Sequence, residues 1–137
     1  MTADAAPGHS FACSIAPWLS VGNGRQAIVF YQSAFGATEV YHFDDPGGGV
    51  VSKLSVRGAE FWLSGESPVA SGHVTAPIAE SPVRMILTVP DPDTFFARAL
   101  AAGATEVFPV GEGHGWRLGR LADPFGFHWE IGHPLAP

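Results

Sequence analysis

The sequence predicts an α+β fold of two tandem βαβββ modules within one structural domain. Three observations carry this expectation. Apolar periodicity passes from two to helical spacing and back to two, in the same order twice. A five-residue string recurs 67 residues after its first appearance. A chain of 137 residues with 46% apolar content suffices for one shared core.

The first module is expected over residues 12–66, behind a flexible tail at 1–11 whose small residues, Pro7 and Gly8 show no period. Ser14 to Val21 reads as a strand with Leu19 and Val21 on one face and Ala16, Trp18 and Ser20 on the other. Asn23 is placed to cap a helix in which Ala27, Phe30, Tyr31 and Ala34 recur at helical spacing, and Gly36 stops it. Three strands follow at Thr38 to Phe43, Val50 to Val56 and Glu60 to Ser64. The turns between them are Asp44-Asp45-Pro46-Gly47-Gly48-Gly49 and Arg57-Gly58.

Residues 67–81 are rich in Pro, Ser, Gly and Ala and read as a linker. The second module, 82–133, opens with a strand from Val83 to Val89. Val83, Met85, Leu87 and Val89 share one face, and Arg84, Ile86 and Thr88 the other. Asp91 and Pro92 suit the N-cap and first turn of a helix with Phe95, Phe96, Ala99 and Leu100 on its apolar side and Gly103 at its end. Strands are expected at Thr105 to Val110, about Trp116 to Leu121, and Phe127 to Ile131, the last entered through Asp123-Pro124-Phe125-Gly126. Residues 134–137 form a short tail.

The recurring string is Gly36-Ala37-Thr38-Glu39-Val40, repeated as Gly103-Ala104-Thr105-Glu106-Val107. Trp18-Leu19-Ser20-Val21 matches Ile86-Leu87-Thr88-Val89, and Gly58 to Leu63 matches Gly126 to Ile131, both 68 residues apart. Three aligned segments in one order indicate an internal duplication.

Thirteen acidic against seven basic residues give a net charge of −6, which repels a phosphate backbone and argues against nucleic acid. Cys13 is the only cysteine, so no intrachain disulfide or thiolate zinc cluster can form, and a reducing cytoplasm is expected. No apolar run approaches the roughly 20 residues that span a bilayer, and no membrane partner is expected.

Tandem βαβββ modules, together with Ala27-Ile28-Val29-Phe30-Tyr31, Ala34-Phe35-Gly36-Ala37, Phe96-Ala97-Arg98-Ala99 and the run Gly119 to Glu130, carry a resemblance. From about Ile15 to Gly132 the chain resembles the vicinal oxygen chelate superfamily, which includes glyoxalase I, extradiol dioxygenases and bleomycin-resistance proteins. More narrowly, it is similar to the PhnB-like branch. The resemblance implies that each module curls its mixed sheet into a half-barrel with helices outside, so that two half-barrels form a cupped cavity.

Metal-dependent members place four ligands in that cavity, which here fall near Ala16, Trp62, Arg84 and Glu130. Only Glu130 can bind a metal, and a guanidinium beside a divalent ion costs on the order of several kcal/mol in a poorly solvated pocket. Arg84 is therefore expected to pair with Glu130 across the pseudo-twofold axis. His128 shares a face with Glu130 and reads as a ligand, a proton carrier or a satisfied core histidine. Trp18 and Trp62 point away from the helix-packing Leu19 and Leu63, with Ser20 on the face of Trp18 and Ile86 on that of Arg84. Trp116 is expected to close over a ligand, and Trp129 to pack into the core. His114 and His133 are expected in solvent, and Gly111 to Gly115 as a flexible rim. No serine has a nucleophile elbow.

These readings favour a small-molecule binding protein of the bleomycin-resistance type. It would sequester an aromatic or cationic compound, an antibiotic among the candidates, in a tryptophan-lined cavity without catalytic residues, cofactor or metal. The resemblance also implies a homodimer. A metal-dependent glyoxalase- or dioxygenase-like enzyme using Glu130, His128 and His42 is the alternative, and a dimeric interaction module with a collapsed cavity is a third reading.

Overall fold

A computed structural model describes residues 12–65 and 83–136; the expected tail at 1–11 and linker at 67–81 lie outside the described residues. The order is β1 (Trp18–Val21), α1 (Gly24–Phe35), β2 (Thr38–Asp44), β3 (Val50–Val56), β4 (Ala59–Gly65), β5 (Met85–Thr88), α2 (Pro92–Ala102), β6 (Thr105–Gly113), β7 (Trp116–Ala122) and β8 (His128–Pro134). Each module forms one open four-stranded mixed sheet, ordered β1-β4-β3-β2 and β5-β8-β7-β6. β1 runs parallel to β4 and β5 to β8, and the remaining pairs are antiparallel. Among the described residues no helix is long and apolar enough to cross a membrane.

Local chemistry sets the helix ends. The Asn23 side chain accepts from the Gln26 backbone N–H at 3.1 Å, and Gly36 closes α1 at φ 67°, in the left-handed region open to glycine. Asp91 makes no capping bond through its side chain; its carboxylate instead receives the Arg57 guanidinium at 3.0 and 3.2 Å, which ties the β3–β4 turn to the start of α2. The two leading strands are shorter than their alternation suggests, because each is a sheet edge pairing with only four residues of its parallel neighbour. β6 and β8 are longer, reaching Gly113 and Pro134.

Alternation decides the faces. In β3, Val50, Ser52, Leu54 and Val56 are buried toward α1, while the residues between them are half-buried on the other side. The helix-side faces of both sheets meet in one core: Trp129 lies 4.9 Å from Phe35 and 5.5 Å from Phe61 between ring centroids. Trp129 is therefore a core residue, as its alternation predicts. Because this core lies between the modules, each sheet turns its other face outward. A single chain thus presents two separate open faces where one cup enclosed by both half-barrels was expected.

Candidate functional site

The open face of the second sheet holds a cleft of about 560 Å³. Ile86, Phe108 and Leu118 give it an apolar floor, and Trp116, His114 and Glu130 border it. Its rim is a two-residue hairpin turn in which His114 and Gly115 both take positive φ, 53° and 83°, between the paired Gly113 and Trp116. The Leu135 backbone N–H donates to the Gly115 carbonyl at 2.7 Å and ties the turn to the C-terminal segment. The segment read as a flexible rim is therefore a hydrogen-bonded hairpin. His114 is exposed as expected, yet it also lines the cleft.

Glu130 sits directly across the parallel register from Ile86. Its carboxylate lies 3.2 Å from the Arg84 guanidinium, with the Glu130 side chain only 16% exposed. The expected pair forms, but inside the second module: Arg84 leads into β5, the neighbour of β8, so the contact does not cross the pseudo-twofold axis. His128 is buried on the same face of β8, one alternation step from Glu130.

Trp18 and Trp62 are register partners on the open face of the first sheet, stacked at 5.6 Å with 14° between their planes. The Trp18 indole N–H donates to Ser64 Oγ at 2.9 Å, which fixes its ring, and Tyr41 meets Trp62 edge-on at 5.6 Å. The Lys53 ammonium lies 5.0 Å from the Trp62 ring centroid and pairs with Glu60 at 2.9 Å. Ser20 is exposed one step along β1. The eight candidate residues thus divide between two faces of one chain. Trp18, Ser20 and Trp62 lie on the first sheet, and Arg84, Ile86, Trp116, His128 and Glu130 on the second. Arg120, which sequence reasoning passed over, stands opposite Glu130 on β7; its period-two alternation with buried Leu121 was the available signal.

The donor set does not fit the divalent ion that the four ligand positions imply. Of the four expected positions, Ala16 lies before β1 and Arg84 before β5, and the strand pairs instead place Trp18 opposite Trp62 and Ile86 opposite Glu130; on either set Glu130 is the one carboxylate, and it already faces a guanidinium. His42, the third ligand of the alternative reading, lies on the first sheet opposite buried Ser52. Its Nδ1 lies 2.7 Å from Glu39 Oε2 and its Nε2 2.9 Å from Asp44 Oδ1. Hydrogen bonds to Glu39 and then Asp44 raise the imidazole above its ordinary value. Burial pushes Glu39 up, but the bonds from Ser52 and His42 outweigh it and hold that carboxyl low. This is a structural ion cluster. Among the described residues no group of three His, Cys, Asp or Glu side chains is arranged to hold a metal.

Residues 19–132 match the model of the glyoxalase-like domain family. An uncharacterised protein of Mycobacterium bovis is 38% identical over 128 residues, covering 89% of this chain and 84% of that protein. The solved structure of TioX from Micromonospora sp. ML1 superposes with a TM-score of 0.68 at 21% identity, covering 90% of this chain and 100% of that one. The fosfomycin resistance protein FosX of Listeria monocytogenes superposes with a TM-score of 0.69 at 14% identity, covering 91% and 95%, and has also been solved with Mn(II).

Proposed function

Since the chain belongs to the glyoxalase-like domain family of the vicinal oxygen chelate superfamily, we propose that it is a binding protein that sequesters a flat aromatic small molecule without metal or cofactor. The observation that carries this reading is the ordered indole pair on an outer face, with Trp18 52% exposed. A large apolar ring held in place by a hydrogen bond and left to solvent is a preformed stacking surface. An aromatic ligand fits better than a cationic one, because Lys53 already occupies a cation position over Trp62. Glu130, the one carboxylate among the four expected ligand positions, is held by Arg84, which supports sequestration over metal-assisted turnover.

Two outward faces also support a homodimer, in which the first sheet of one copy and the second sheet of the other wall each cavity. The cytoplasm is its proposed compartment, on the strength of its single cysteine. Calorimetric titration with a panel of planar aromatic compounds tests the reading. Trp18→Ala and Trp62→Ala are each expected to weaken a binding compound about two- to twelvefold, the equivalent of one aromatic stacking contact. Unchanged affinity in both variants overturns the reading, as does about one tightly bound transition metal per subunit in elemental analysis of the purified protein.

A further inference from the structure

The two open faces carry equivalent cross-strand rows, and only one row holds an indole pair. Register aligns Tyr41 of β2, Lys53 of β3, Trp62 of β4 and Trp18 of β1 across the first sheet, and Phe108, Arg120, Glu130 and Ile86 across the second. The 68-residue offset between the modules makes Trp18 the counterpart of Ile86 and Trp62 that of Glu130. The fold itself does not require indoles at these places, since its own repeat forms the same strands in the same order without them.

Side chains on one face of a sheet stand side by side at the strand spacing of about 4.8 Å. Both flanks of Trp62 in that row are taken. The Lys53 ammonium lies 5.0 Å from its ring centroid on the β3 side, anchored by Glu60 at 2.9 Å, and Trp18 is stacked 5.6 Å away on the β1 side. Tyr41 meets its edge. Trp18 differs, because β1 ends the sheet: Trp62 covers one flank of its ring, no described strand stands beyond the other, and the side chain is 52% exposed. Its one donor is spent on Ser64 Oγ at 2.9 Å. What Trp18 offers a ligand is the bare flank of a ring already held in place.

We propose that a planar ligand ring stacks on the outer flank of Trp18, where a side chain of a fifth strand would stand, and that Trp62 and Lys53 are positioning residues that hold Trp18 without touching the ligand. The assignment rests on the aromatic-binding reading above and adds to it which side chain makes the contact. A ring already fixed on one flank loses little further freedom when a second ring covers the other, so the row selects a rigid plate over a flexible apolar chain.

Nuclear Overhauser measurements on the unaltered chain with naphthalene-2-carboxamide test this. Cross-peaks from the probe are expected to the ring protons of Trp18 and not to those of Trp62. Cross-peaks to Trp62 alone, or of equal strength to both, overturn the assignment of the contact while the aromatic reading stands. Failure of the probe to bind, or binding with no cross-peak to either indole, overturns both. Calorimetry then tests the positioning role. Lys53→Met removes the ammonium and is expected to weaken the probe about two- to fivefold, the equivalent of one cation–π contact, and Lys53→Arg to restore the affinity. In a Trp18→Ala background Lys53→Met is expected to have no further effect, because Lys53 acts through the ring that is gone. A loss of the same size in both backgrounds, or none in either, overturns the role of Lys53. Because the first measurement uses the unaltered protein, the test does not depend on a variant that folds.

Discussion

Asp123 receives four hydrogen bonds at one buried carboxylate, and the one from Tyr31 of α1 joins the two modules. It accepts from the Tyr31 hydroxyl at 2.5 Å, the Trp129 indole N–H at 2.9 Å, and the backbone N–H groups of Phe125 and Phe127 at 2.9 Å each. Burial pushes its carboxyl up, against the pull of these donors, and burial likewise raises the Tyr31 hydroxyl well above its usual value. The turn Asp123-Pro124-Phe125-Gly126 was legible in the sequence, but the role of the carboxylate was not, since Tyr31 lies 92 residues away. Asp123→Asn keeps one oxygen for the backbone donors and turns an amide NH₂ toward the other two. Loss of an acceptor for the Trp129 N–H is expected to cost about 1–3 kcal/mol. Urea unfolding checks this through a lower midpoint at constant slope; an unchanged midpoint would mean that the carboxylate is dispensable.

β4 ends where α1 begins, and two glycines permit the approach. A Cβ at Gly65 would lie 2.3 Å from the Gly24 backbone nitrogen and 2.7 Å from its Cα, and backbone cannot yield as a flexible side chain does. Gly65→Ala is expected to destabilise the protein by about 1–3 kcal/mol by pushing α1 off the sheet. A thermal melt at the wild-type temperature would refute this. Gly65 carries no such signal in the sequence, where it reads only as the residue after a strand. Period-two alternation, by contrast, assigned the faces of Leu19, Leu63 and Trp129 correctly, because side-chain direction in a strand is a local property. Local pattern failed where pairing decides. β2 slips register between Glu39 and Tyr41, and β6 twice between Glu106 and Gly111. The β6–β7 hairpin was obscured because Gly113-His114-Gly115 resembles a loose loop until its flanking residues pair.

Which sides of the two modules meet is not written in either repeat, since each sheet alternates the same way whichever face is later covered. The duplication exposed the architecture, whereas the arrangement depends on long-range aromatic contacts such as that of Phe61 with Trp129. Its consequence is an unusual surface for a single chain of this size. Trp18, Tyr41 and Phe43 stand 52%, 48% and 49% exposed on the first sheet, and Ile86 and Phe108 stand 63% and 39% exposed on the second. Clusters of large apolar side chains on this footing belong to interfaces or ligand sites. In the proposed dimer, a second copy covers the first sheet with its own second sheet, which would bury both kinds of face at once. Sedimentation equilibrium is therefore expected to give a mass of two chains, and Ile86→Asp to give one. The monomer should tolerate that substitution within about 0.5 kcal/mol, because Ile86 makes little of the core. The partner face, however, would have to bury a carboxylate beside Glu130, its register neighbour. A far-UV circular dichroism spectrum unchanged from wild type separates dissociation from unfolding. A wild-type chain that sediments as a monomer across the micromolar range would refute the assembly, and an Ile86→Asp variant that stays dimeric would place the interface elsewhere.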